Sequence, residues 1–342
     1  MEPFSYFFPS TISSKKMRQK MPSGATYSVN IDKGEAGEGV LLDTFDNELL
    51  LSGKLLLQRG NRLWLQNLSS GAVVDQRAAA DWSYVSDLEE GPVALQLGTI
   101  SKLRALISVA SVVVRKDAGS ILDDEGKTRV RFKNMVFIKD KKTVGVGCTQ
   151  PLRGYGKAHE DLKKWLLKLG ADPCSIATDL YTFAGLSHDL YSAKPVIELL
   201  STATAKTSAM TIIRTFLKVA RRNEGGVIAD YDTEFLHDYR VSLRKVRSVL
   251  SLFRGAFGDA DTNRLKNEFA ELMQQTNTLR DLDVYLLDQS TYYKMVPTTT
   301  HAGLDVLFAS LKKTRKAEHK KVTKYISGKN YGSRIEGLEK LF

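Results

Sequence analysis

Cysteine is scarce in this chain: Cys148 and Cys174 are the two in 342 residues. Two cannot build a disulfide framework or fill a zinc site, their scarcity fits a reducing compartment, and both read as small packing residues. The most apolar run, Ala105–Val114, is bracketed by Arg104 and Arg115 and falls far short of the roughly 20 residues a membrane-spanning helix needs. Met1–Ser10 holds aromatic residues but no basic start followed by an apolar stretch and a cleavage site, so no secretory signal is expected. Neither His237 nor His319 stands at metal-ligand spacing from a cysteine or a second histidine, which argues against zinc. The stretch Gly34–Gly39 is not followed by Gly-Lys-Ser/Thr and carries two glutamates, so it reads as a loop rather than a phosphate cradle. No fixed-period repeat is visible. These absences lead to the expectation of a cytoplasmic, soluble protein without cofactor, metal or membrane partner, and they leave its oligomeric state open.

What is present is a long, basic chain. Hydrophobic residues make up 42% and charged residues 26%, an ordinary globular balance for which disorder is not the default, and the length favours two domains. Lys and Arg total 50 against 39 Asp and Glu, a net charge of +11. From Ser201 onward there are 24 bases and 16 acids, so +8 of that excess sits in the last part of the chain. An excess concentrated in one domain points to an anionic partner for it.

Thr26–Cys148 turns and alternates as strands do, with candidates at Val40–Leu42, Lys54–Gln58, Leu63–Leu68, Ser111–Arg115, Thr128–Phe132 and Asn134–Ile138. Gly60-Asn61 and Asp123–Gly126 are hairpin signals between them. After Arg153 the period changes: Leu162, Trp165, Leu166 and Leu169 mark an amphipathic helix that Gly170 can end, with Pro173 just beyond. Pro195, the Ser/Thr/Ala-rich Ser201–Ser208 and a loop at Asn223–Asp230 punctuate the helical remainder. The expected architecture is α+β in two domains, a β-rich one with trailing helices over 1–200 and an all-helical bundle over 201–342.

Basic residues recur at helical spacing in that second part. At about 100° per residue, His237, Arg240, Arg244 and Arg247 fall within roughly 80° of arc, while Tyr239, Leu243, Val246, Leu250 and Phe253 cluster elsewhere. Arginines so close repel one another unless something anionic meets them. Arg214, Lys218, Arg221 and Arg222 repeat the pattern, as do Lys312, Arg315, Lys316, His319 and Lys320. A solvated face would explain about half of these residues. The alternative is that the stripes converge in one groove for a phosphate chain, arginine through its forked donors and lysine as a point charge. Arg280 is a further candidate, though Asp281 and Asp283 beside it favour an ion-pair network.

The string His-Asp-x-Arg-Val-x-Leu-Arg-Lys-x-Arg at 237–247 resembles the signature of the CHAD family. Thr278-Leu279-Arg280-Asp281-Leu282-Asp283-Val284, about forty residues on, resembles the block that follows it there. The resemblance implies a helical domain that binds inorganic polyphosphate, and it casts His237, which matches the opening histidine of the signature, as a phosphate donor. Nothing after His301 matches the His-x-x-Arg and Lys-x-x-Arg-Tyr segment of that family's second bundle, so the resemblance covers the first half of such a domain. It also implies a non-enzymatic role, with storage or association with polyphosphate granules as the setting.

Asp43-Thr44-Phe45-Asp46, then Leu49, Leu50, Gly53, Leu56, Arg59 and Trp64, resembles the progression of the CYTH or triphosphate-tunnel family over roughly residues 25–170. That implies a closed antiparallel barrel, degenerate here. Its opening Glu-x-Glu-x-Lys has no good counterpart, Leu56-Leu57-Gln58-Arg59 replaces Leu-Arg-x-Arg, Gln66-Asn67 stands where a lysine belongs, and Val144–Thr149 replaces an acidic strand. Arg59, Arg115 and Lys33 remain as tunnel cations, but metal-assisted hydrolysis needs carboxylate ligands, so no turnover is expected. A metal-dependent triphosphatase is therefore one alternative function. Weak, non-specific nucleic-acid binding is the other, without base readout because the basic helices lack interleaved aromatic residues.

Overall fold

A computed structural model describes residues 3–8, 27–79, 81–140, 142–173, 178–185 and 190–342; Cys174 and part of Met1–Ser10 lie outside them. The chain divides into two units, Met1–Leu190 and Tyr191–Phe342.

The first unit is organised around β7 (Ile107–Leu122), which is long enough to take two partners in sequence along one edge. β3 (Gly37–Asp43) pairs with its first half and β2 (Ser28–Lys33) with its second, while β8 (Thr128–Lys139) runs antiparallel along the other edge. β9 (Lys142–Pro151), β1 (Phe4–Phe8) and the two-residue β10 (Asp172–Pro173) continue beyond β8, and β4 (Lys54–Arg59), β5 (Arg62–Asn67) and β6 (Val73–Arg77) continue beyond β3. All ten strands described are antiparallel to their neighbours. The expected closed barrel is not formed: among the described residues the path ends at β10 on one side and β6 on the other, with no pairing between them.

Both anticipated hairpins are present for the expected physical reasons. Arg59 pairs with Arg62 across Gly60-Asn61, and Gly60, first of the two central residues, takes a φ of +59°. That left-handed value matches the strand twist and is cheap for glycine alone. At the second turn Asp123 Oδ1 accepts the amides of Glu125 and Lys127, and Gly126 has φ +74°.

The pleat sends alternate side chains to opposite cores. Leu55 and Leu57 join Leu41, Val112, Val114, Phe137 and Val146, while Leu56 joins Leu42, Leu63 and Leu65 beneath α2 (Pro92–Leu97). α1 (Glu48–Leu51) is capped by the fully buried Asp43, whose carboxylate accepts the amides of Thr44, Leu49 and Leu50 and the Tyr181 hydroxyl of α4 (Thr178–Ala184). Burial raises the Asp43 pKa against those four hydrogen bonds. α3 (Gly156–Lys168) buries Leu162, Trp165 and Leu166 against Tyr6, Phe8 and Phe132, and ends, as its sequence indicated, with Gly170 at φ +95°.

The second unit is helical: α5 (Ala205–Ala229), α6 (Thr233–Leu252), α7 (Asp259–Gln274), α8 (Asn277–Leu287), α9 (Gln289–Met295), α10 (His301–Ile326) and α11 (Lys329–Leu341). Thr204 caps α5 by accepting the Thr207 amide, and Asp232 caps α6 by accepting those of Glu234 and Phe235. The loop expected at Asn223–Asp230 is instead the last two turns of α5, which ends at Asp230 with φ +55°. Packing overrides local propensity there: Gly226 lies flat against the Phe235 ring of α6, where a Cβ would stand 2.0 Å from Cδ1. Gly225 beside it meets nothing within 4 Å.

Gly226→Ala is therefore expected to cost about 1–3 kcal/mol through overpacking, whereas Gly225→Ala gains up to about 1 kcal/mol from helix propensity. Urea denaturation of the two variants measures the contrast, and equal effects would contradict this packing.

Candidate functional site

Each amphipathic helix of the second unit sorts its own cations. On α6, Phe235, Leu236, Asp238, Tyr239, Ser242, Leu243, Val246, Val249 and Leu250 are buried. The stripe of His237, Arg240, Arg244 and Arg247 lies outside that arc; Arg244 is exposed and the other three are half-buried. Arg240 marks where the stripe meets its neighbours: its Nη1 donates to the Met273 carbonyl at 2.8 Å and to Thr276 Oγ1 at 2.6 Å, at the junction of α7 and α8. Burial, together with the charges of Arg244 and Arg280, holds the Arg240 pKa below the usual arginine value, and Asp281 opposes them. Arg280, on α8, thus belongs to the same electrostatic neighbourhood as the α6 stripe.

The carboxylates of this unit are engaged elsewhere. Arg315 of α10 donates Nε to Asp283 Oδ1 at 2.7 Å and both Nη groups to Asp230 at 2.5 and 2.7 Å. Burial works against the Arg315 charge, but Asp230 and Asp283 outweigh it and raise its pKa. Arg334 is shared between Glu268 and Glu271. Asp283 therefore forms its ion pair with Arg315 and not with Arg280, as the adjacent sequence had suggested. Among the described residues no carboxylate lies at ion-pair distance from Arg240, Arg244, Arg247 or Arg280. Two of their donors, Arg247 Nε and Arg280 Nη1, are buried and make no hydrogen bond. Arg244 is exposed and Arg247 half-buried, so an anion reaching this face from solvent meets guanidiniums that have no carboxylate partner.

The remaining candidates separate into three groups. Arg315 and His319 are structural: His319 Nε2 donates to the Val227 carbonyl at 2.8 Å and stands 3.8 Å from Asp230, tying α10 to the end of α5. Lys312, Lys316 and Lys320 are exposed along α10. Arg214, Lys218, Arg221 and Arg222 line a depression of about 470 Å³ on α5, beside Glu224 and Glu339, the latter from α11.

One shared trough is not what the packing makes. α5 faces α6 through Gly226, against Phe235, and through Phe216, whose ring lies 4.4 Å from Lys245 Nζ. From these contacts, at about 100° per residue, Arg214, Lys218 and Arg221 point roughly 150° away from α6, and Arg240, Arg244 and Arg247 roughly 160° away from α5. The α5 and α6 stripes are back to back.

In the first unit, the carboxylates near basic residues are also committed. Arg115 binds Asp117 in fork fashion at 2.7 and 2.8 Å, and Arg104 binds Asp46 at 2.8 and 3.1 Å. Arg59 Nη1 donates to the Glu35 carbonyl at 3.3 Å, and Lys33 sits on β2 opposite Asp117. Among the described residues no three His, Cys, Asp or Glu side chains gather as metal ligands would. A pocket of about 280 Å³ is lined by Lys116, Lys133, Trp64 and the buried Gln66. Lys116 Nζ lies 3.7 Å from the Trp64 ring centroid, and burial pulls its pKa down to about 8. Sequence reading passed over both lysines; their alternation on β7 and β8 was the available signal.

Among the described residues, no helix is long and apolar enough to cross a membrane. The pattern and geometry of the second unit are those of a basic all-helical module. Residues 211–342 match the family model of the CHAD domain, and this part of the chain is a CHAD domain. The chain is similar to the CHAD domain from the plant Ricinus communis, at 26% identity with a TM-score of 0.37, covering 45% of this chain and 50% of that one. It thus spans about half the length of that structure. The PH1819 protein from Pyrococcus horikoshii OT3 matches at 12% identity and a TM-score of 0.26, over 50% of this chain and 92% of that one. No curated protein matches.

Arg315→Leu leaves Asp283 buried without its partner and is expected to lower stability by about 3–5 kcal/mol. Lys316→Leu, one residue on and exposed, should stay within about 0.5 kcal/mol of the parent. Thermal or urea unfolding of the pair distinguishes a structural arginine from a surface cation.

Proposed function

We propose that the CHAD domain of this protein binds inorganic polyphosphate, without turning it over, through Arg240, Arg244, Arg247 and Arg280, with His237 at the margin. The observation that carries this reading is the gathering of four guanidiniums around α6 and α8 with no carboxylate among the described residues at pairing distance. Guanidinium forks match the paired oxygens of phosphate, and a polymer of phosphates supplies acceptors at intervals along a stripe. The CHAD family is linked to polyphosphate binding, which supports the choice of ligand. On α6 the stripe has no exposed aromatic for stacking bases: Phe235 and Tyr239 are buried, and Phe216 of α5 lies against Lys245. That favours an inorganic polymer over nucleic acid. Cytoplasmic location and association with polyphosphate granules belong to the same reading.

The first unit, on this reading, is not a triphosphatase. Asp117, Asp46 and Asp43 are held by Arg115, Arg104 and the α1 amides, and an antiparallel sheet alone is consistent with the CYTH likeness without implying its chemistry.

Because Arg240 also supports the α7–α8 junction, the cleaner variant is Arg244→Gln with Arg247→Gln. It should weaken polyphosphate binding about tenfold or more and make the dependence of log affinity on log salt shallower. Unchanged affinity and slope, with the fold intact by circular dichroism, would reject the assignment. Separately, tripolyphosphate incubated with the protein and Mg²⁺ or Mn²⁺ should release no phosphate above background; turnover abolished by Arg59→Ala would restore the triphosphatase alternative.

A further inference from the structure

The depression on α5 and α11 is not part of the face just described, and four of its lining residues are basic. Arg214 and Lys218 are exposed, and Arg221 follows them one turn further along, so the three cations run over about 10.5 Å of helix. The carboxylates present hold Arg221 loosely. Its Nε is 3.7 Å from Glu224 Oε1 and 3.7 Å from Glu339 Oε1, both beyond hydrogen-bond distance. By contrast, Arg315 and Arg334 meet their carboxylates at 2.5–2.7 Å. Glu224 Oε1 instead takes the Tyr331 hydroxyl at 2.5 Å, in a chain that continues to Tyr239 at 3.3 Å. Glu339, 38% exposed, can give way to phosphate oxygens at little cost, since exposed ion pairs contribute about 0–1 kcal/mol, while Glu224, 15% exposed, keeps its bond from Tyr331.

We infer that the α5–α11 depression is a second anion site, turned away from the α6 stripe, and that one chain thereby holds two polyphosphate strands and cross-links them. The inference rests on the reading of α6 as a polyphosphate face. The back-to-back packing supplies the rest: a short ligand cannot touch both stripes, because each lies roughly 150–160° from the face by which its helix meets the other. A protein with two opposed phosphate-binding faces behaves as a bridge rather than a sleeve, and bridging depends on both faces being occupied by different strands.

The test uses the full chain and two probes. Calorimetric titration with linear tripolyphosphate should give two equivalents per wild-type chain and one for Arg214→Glu with Lys218→Glu, both exposed positions whose reversal leaves the core untouched. Light scattering with long-chain polyphosphate should pass through a maximum at intermediate protein-to-polymer ratio for the wild type and lose that maximum in the same variant. One equivalent in the wild type, two still bound by the charge-reversal variant, or scattering indifferent to it would each overturn the second site. The Arg244→Gln with Arg247→Gln variant separates the two ideas: if it loses one equivalent while the α5 variant loses none, the α6 reading stands and the bridge falls. If it loses nothing, the α6 reading falls and the bridge with it.

Discussion

Arg315, held between Asp230 and Asp283, is the contact on which the helical unit's electrostatics depend. It joins α10 to α8 and to the end of α5 by engaging the carboxylates of Asp283 and Asp230 together. Asp283 is 1% exposed, so its charge needs this partner to stay in the protein interior. Asp283 still feels the Arg280 charge, but its direct partner is Arg315, and among the described residues no carboxylate reaches ion-pair distance of Arg280. The stability of the bundle and the position of its excess positive charge are thus linked. An internal ion pair fixes where the excess positive charge appears.

Much of this was legible one residue at a time. The α6 periodicity separated its core face from its cations, the glycine at Gly60 and the Asp123–Gly126 turn defined hairpins, and Leu162, Trp165 and Leu166 announced α3. These features depend on neighbours within a few residues, which sequence records directly. The misreadings share a different cause. Asn223–Asp230 looks like a loop because two glycines and an Asn weaken a helix, and nothing local reveals that Phe235 requires the flat surface of Gly226. Asp283 seemed the natural partner of Arg280 because they are close in sequence, yet Arg315, 32 residues away, takes it. β1 went unread because its partners on β9 lie some 140 residues further on.

The direction of the basic stripes is a tertiary property in the same sense. Periodicity shows that α5 and α6 each carry one, but whether two stripes face each other or oppose depends on which residues make the helix–helix contact. Gly226, Phe216 and Lys245 settle that, and they carry no mark in the sequence that says so. The distinction matters because a shared trough and two opposed faces imply different valencies toward the same polymer.

Among the described residues the open sheet of the first unit leaves borders at β10, at β6 and at β2, which pairs with β7 alone, and borders of unpaired backbone invite pairing with other molecules. The two at the ends of the path are unattractive to a visitor. β10 is two residues long and one of them, Pro173, has no N–H to offer. β6 carries Asp75 and Arg77, and Asp75 is paired across to Arg62 of β5. A sheet that forgoes closure in this way stays safe from aggregation by chemistry at its margins, so substitutions there that remove charge or proline would be felt in solubility before they were felt in the fold.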